Sequence, residues 1–134
     1  MARLIDIEGI GDTSAEALRG AGVGSVAALL AAGGTAKGRA ALAKSSGVSE
    51  KLILRWVNHA DLMRIMGVGG QFAELLEAAG VDSVPELAGR RADSLTAKLG
   101  TTNAEKKLTR RVPTETMVSG WVSEAKSMKR AVSH

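Results

Sequence analysis

The chain has no cysteine and no tyrosine, and its only aromatic residues are Trp56, Phe72 and Trp121. Without cysteine there is no disulfide framework and no thiolate metal site. With so few aromatics, the core must come from Ala, Leu, Val and Ile, a mixture that favours closely packed helices over sheets. No stretch approaches the roughly 20 apolar residues that span a bilayer. The opening Met1-Ala2-Arg3-Leu4-Ile5-Asp6 lacks the apolar run of a secretory signal. A cytoplasmic protein is therefore expected. Only two histidines are present, His59 and His134. His59, beside Asn58 and Asp61, reads as a partly exposed polar residue and not as a ligand or a base. No serine stands in a nucleophile-elbow context, and no carboxylate pair suggests acid–base work. Gly20-x-Gly22-x-Gly24 has neither the preceding strand nor the third spacing of a dinucleotide loop. No cofactor, metal or enzymatic activity is expected.

Acid is slightly scarcer than base. The 134 residues carry 18 Lys/Arg and 14 Asp/Glu, a net charge of +4. Most of the excess, +3, falls in residues 62–134, so an anionic partner would be met mainly there.

What the sequence does have is a repeat. Shifted by 58 residues, Leu4–Leu29 falls on Leu62–Leu87 with 13 of 26 positions identical, where chance gives about two. The matches include Gly9/Gly67, Gly11/Gly69, Gly22/Gly80, Ser25/Ser83 and Leu29/Leu87. Trp56-Val57-x-x-Ala60 matches Trp121-Val122-x-x-Ala125 at an offset of 65, so the second copy is seven residues longer, between about Arg90 and Pro113.

Local signals within each copy are helical. Thr13-x-x-Glu16 has the form of a capping box, and Ala21-Gly22-Val23 and Ala79-Gly80-Val81 read as left-handed helix ends. Ser25 and Ser83 cap the next helices, with Pro85 in a first turn. Ala32-Gly33-Gly34-Thr35 is a break, a further helix covers about Ala36–Lys44, and Ser49 caps a longer one. Leu52, Ile53, Trp56, Val57 and Ala60 share a face of that helix, as Met117, Val118, Trp121, Val122 and Ala125 do after Pro113. Asp61 reads as the cap of a short helix before the second glycine pair. Thr102-Asn103-Ala104-Glu105 reads as the cap of a short helix carrying Lys106, Lys107, Arg110 and Arg111. Residues from about Lys129 read as a frayed end.

Leu4-x-x-Ile7-x-Gly9-Ile10-Gly11-x-x-x-Ala15-x-x-Leu18-x-x-Ala21-Gly22-Val23 resembles the helix-hairpin-helix pattern, as does the strip from Leu62. Leu42–Ser49 resembles a degenerate second hairpin. The whole chain resembles an uncharacterised bacterial family of tandem helix-hairpin-helix proteins. The resemblance implies an all-α fold of two tandem five-helix units, residues 1–61 and 62–134, packed as one compact body, the second with the seven-residue extension. It also implies either DNA binding without sequence preference, through hairpin N–H groups to phosphate, or a purely protein-interaction role.

The two hairpins differ as phosphate sites. The first, Glu8-Gly9-Ile10-Gly11-Asp12, is flanked by carboxylates that repel phosphate and reads as structural. The second, Met66-Gly67-Val68-Gly69-Gly70-Gln71, contains no acid, follows Arg64, and offers the Gln71 amide. The expected nucleic-acid-binding residues are Arg64, Gly67, Val68, Gly69 and Gln71, joined by Lys106, Lys107, Arg110 and Arg111 as a basic cluster that tracks a phosphate backbone. With no interleaved aromatics, single-strand stacking is not expected. The expected function is weak, sequence-independent nucleic-acid binding by a non-enzymatic module. The alternative is a protein-interaction or assembly module, which accounts better for the acidic first hairpin.

Overall fold

The structure, a computed structural model, describes residues 2–134. Among them every regular element is helical: a 3-10 turn at Leu4–Asp6, then α1 (Asp12–Gly20), α2 (Val26–Gly33), α3 (Ala36–Ser46), α4 (Glu50–Leu62), α5 (Gly70–Ala78), α6 (Val84–Ala88), α7 (Ala92–Lys106) and α8 (Glu115–Lys126). The fold is all-α. The chain divides into two compact units: Met1–Asp61 with Ala131–His134, and Leu62–Arg130.

In the first unit, a 3-10 turn with Leu4 buried leads into a glycine turn. Ile7 N–H donates to Leu4 O and Ile10 N–H to Ile7 O, both at 3.1 Å. Gly9 takes φ +94°, a region that side chains disfavour. Helix α1 starts at Asp12 with Gly11 as its N-cap, so the predicted capping box at Thr13 and Glu16 does not form, because both residues lie inside the helix. Its end follows the predicted pattern: Gly22 N–H bonds Arg19 O at 3.0 Å and Val23 N–H bonds Leu18 O at 2.9 Å. Ser25 Oγ accepts from Ala28 N–H at 3.0 Å and starts α2. The predicted Gly33-Gly34 break follows. Close packing explains Gly33, since a Cβ there would sit 2.5 Å from Val57 Cγ2. Trp56 is 2% exposed, and its Nε1 lies 3.4 Å from where a Gly9 Cβ would be, so the last helix backs the glycine turn.

In the second unit, the 62–69 segment turns through the same bonds. Ile65 N–H donates to Leu62 O and Val68 N–H to Ile65 O, both at 3.1 Å. Gly67 has φ +89°, and Trp121 Nε1 stands 3.4 Å from where its Cβ would be. Trp121 packs on Phe72 with ring centroids 5.4 Å apart, a tilted aromatic pair. Around them Leu75, Leu76, Val84, Leu87, Leu95, Leu99, Val118 and Val122 form the core. Ser83 caps α6 and Thr114 caps α8, through bonds to Glu86 N–H at 3.3 Å and Met117 N–H at 3.2 Å.

Four expectations are corrected. Helix α4 runs on through Asp61 to Leu62, so Asp61 is a buried residue of its last turn and caps no separate helix. Residues 63–64 form only a turn. His59 is fully buried, where partial exposure was expected. Finally, residues 131–134 do not fray, because Ser133 N–H donates to Gly34 O at 2.8 Å.

Candidate functional site

The second glycine turn presents a nearly bare backbone. Val68 points inward at 4% exposure, whereas Met66 is 83% exposed and Gly67, Gly69 and Gln71 are exposed beside it. Helix α5 begins at Gly70. Its N-cap, Gly69, has no side chain with which to cap the turn, and among the described residues no acceptor meets the first N–H groups of α5. Those groups carry the positive end of the helix dipole.

Gly69 has no internal reason to be glycine. Its φ of −92° and ψ of −172° suit any residue, and a Cβ built there meets nothing within 4 Å. Ser, Asp or Asn at this place would cap α5 at least as well. Gly67, by contrast, is required by its positive φ. Gly11 in the first unit is as unconstrained as Gly69, at φ −93° with nothing within 4 Å, but it is followed by Asp12 in the first turn of α1.

The basic residues reach this surface by a route that differs from the predicted one. Thr102–Glu105 caps no new helix; it is the last part of α7, whose buried face runs through Leu95, Leu99, Thr102 and Asn103. Lys106 ends that helix, and Lys107 stops it in the left-handed conformation at φ 53°. Arg110 and Arg111 therefore stand on a loop. That loop is organised by Asn103, which is 9% exposed. Its Oδ1 accepts from Leu108 N–H at 2.8 Å and Thr109 N–H at 2.9 Å, and its Nδ2 donates to Thr109 O at 3.0 Å. Thr109 Oγ1 then donates to Arg111 O at 2.6 Å.

The loop brings together residues far apart in sequence. Gln71 and Phe72 of α5 line one hollow of about 220 Å³ with Thr109, Arg110 and Arg111. An anion there would meet two guanidinium groups, a side-chain amide and an uncapped helix start. Asn103→Ala leaves two N–H groups without their acceptor, which lowers stability by about 2–3 kcal/mol. The Leu108 and Thr109 amides, which donate to Asn103 Oδ1, also lose their hydrogen-exchange protection in this variant; unchanged protection would contradict this role.

Two predicted features fare differently. Arg64 Nη2 donates to Lys129 O at 2.7 Å, so its guanidinium holds the segment after α8. The second turn also has an acid that its own sequence does not reveal. Met66 N–H donates to both Glu124 oxygens, at 3.2 and 3.4 Å. That carboxylate arrives from α8 and lies near the start of the turn, not on the hollow's lining.

A larger hollow, about 550 Å³, is lined by Arg90, Arg91, Asp93, Glu115, Ser119 and Lys126 among others. Both of its arginines are already held by hydrogen-bonded acceptors. Arg90 Nη2 bonds Glu86 Oε1 at 2.8 Å and Gly80 O at 3.0 Å, and Arg91 Nη2 bonds Asp93 Oδ2 at 3.0 Å. The Arg91 hydrogen bond, followed by that from Ser94 N–H, holds the Asp93 carboxyl below the usual aspartate range. A depressed folded-state pKa contributes stability above the unfolded value, and this is lost as pH falls through the folded one. Both side chains are exposed, so the contribution is small. An NMR titration of Asp93 shows a midpoint below that of an unperturbed aspartate; a midpoint at or above it would contradict the pairing.

Among the described residues no group of three or more His, Asp or Glu side chains is placed to hold a metal ion, and no helix is long and apolar enough to cross a membrane. No curated protein and no solved structure matches the chain. A family model matches residues 8–128, nearly the whole sequence, and by that match the chain belongs to DUF4332, a domain of unknown function.

Proposed function

We propose that the chain is a duplicated helix-hairpin-helix module, not an enzyme, that binds nucleic-acid backbone weakly and without sequence preference through its second half. The observation that carries this reading is Gly69. It is a glycine that neither backbone angle nor packing requires, at the uncapped start of a helix whose next residues share a hollow with Arg110 and Arg111. A bare position there serves close approach from outside. One phosphate oxygen meets the α5 N–H groups and Gln71, while Arg110 and Arg111 take the same or the adjacent phosphate. Lys106 and Lys107, both exposed, extend the positive field. Val68 anchors the turn from within, and Arg64 positions it by holding Lys129.

With about two to three phosphates neutralised, the logarithm of affinity for a short duplex falls with the logarithm of salt at a slope of about −2 to −3. Anisotropy titrations at several salt concentrations measure it. A salt-independent affinity, or no binding at low salt, would remove the proposal.

The second reading is a protein-interaction or assembly module. The acids Glu8 and Asp12 around the first turn favour it, because an outward glycine turn of the same geometry there cannot serve phosphate. Self-association by light scattering, together with absent duplex binding, would select it.

A further inference from the structure

The four residues 131–134, which have no regular secondary structure, lie in a built socket of the first unit. Ser133 is read on both main-chain groups: its N–H donates to Gly34 O at 2.8 Å, and its carbonyl accepts from Arg39 Nη2 at 2.9 Å. Arg39 Nη1 donates to Gly33 O at 2.9 Å, so one guanidinium joins the corner after α2 to the docked segment. Arg39 is only 5% exposed. Val132, at 3%, is the apolar anchor. His134 Nε2 lies 2.8 Å from Asn58 Oδ1. A Cβ on Gly34 would stand 2.8 Å from Ala131 O, so only glycine lets the segment pass this closely.

These contacts are those of peptide recognition. Main-chain hydrogen bonds supply affinity, and a buried apolar side chain supplies selectivity. A buried guanidinium requires acceptors, and the Ser133 carbonyl provides Arg39 with one besides Gly33 O. Arg64 holds Lys129 O, and a single residue, Arg130, separates Lys129 from the docked segment. We infer that this socket is a peptide-binding site, filled in cis by residues 131–134, and that it accepts in trans the same segment of a second copy of the chain. Every copy carries both the segment and the socket, which is the requirement for exchange.

The test uses the full chain bearing Ser133→Pro, which removes the N–H that Gly34 receives, and a fluorescein-labelled peptide spanning residues 129–134. In the wild-type chain the tethered segment competes at an effective concentration in the millimolar range. The peptide therefore binds the Ser133→Pro chain about tenfold more tightly than the wild-type chain, and a peptide carrying Val132→Asp binds neither. Equal binding to both chains overturns the inference. So does an absence of binding to a Ser133→Pro chain that keeps the wild-type circular dichroism. If that variant does not fold, hydrogen exchange on the wild-type chain decides. Millimolar peptide displaces the resident segment and speeds exchange of the Ser133 amide several-fold, whereas an unchanged rate overturns the inference.

Discussion

Trp121→Ala lowers the stability of the chain by about 3–5 kcal/mol, the range for truncating a buried tryptophan. The side chain is 4% exposed, meets Phe72 ring to ring, and supports the Gly67 turn from beneath. Its loss leaves a cavity under the start of α5, so the turn and the Gln71–Arg111 hollow lose their support together. Denaturant unfolding followed by circular dichroism measures the change. Trp56, then the sole indole, reports separately on the first unit by fluorescence. A stability change under about 1 kcal/mol would contradict the placement of Trp121 as a core anchor.

Gly69→Asp separates fold from function. The backbone at this position accepts any residue, and the new side chain enters open space. An aspartate at the N-cap accepts from the first-turn N–H groups of α5 and gains a few tenths of a kcal/mol over glycine. It also occupies those donors and sets a negative charge between Gln71 and any approaching phosphate. The expected result is a melting temperature equal to or above wild type, with duplex affinity at low salt reduced by about 30-fold or more, the equivalent of losing one charge-assisted contact and adding one repulsion. Wild-type affinity in Gly69→Asp would place the binding surface elsewhere. Arg110→Glu with Arg111→Glu gives a comparable loss from the other side of the hollow, without the gain in stability.

The local grammar of the chain was legible wherever a signal and its effect lie within one turn of helix. Gly22 and Gly80 end their helices as read, Ser25 and Ser83 cap the next ones, and Trp56 and Trp121 are buried on the faces that their spacing predicts. The errors arise where a competing partner is distant or where two caps are equally plausible locally. Thr13 lost to Gly11 because the extended angles fall two residues earlier, and a glycine N-cap announces itself weakly. Thr102-Asn103-Ala104-Glu105 looks like a helix start, but Leu95 and Leu99 continue a buried stripe into it, and the Asn103 side chain turns to the loop beyond. No sequence rule names Glu124 as the acceptor for Met66 N–H, 58 residues away, or Arg39 as the partner of Ser133, 94 residues away. The candidate site was legible as two separate lists, the turn and the basic residues. That Gln71 and Arg110 line one hollow depends on the 107–111 loop, whose course is set by a single asparagine.

An amide-resolved NMR titration of the wild-type chain with a short DNA duplex at low salt is the most direct measurement. The Gly69, Gly70, Gln71 and Phe72 amides are expected to shift together with the side-chain N–H signals of Arg110 and Arg111, and added salt reverses the shifts. Shifts confined to other surfaces, or none at all at millimolar duplex, would contradict it.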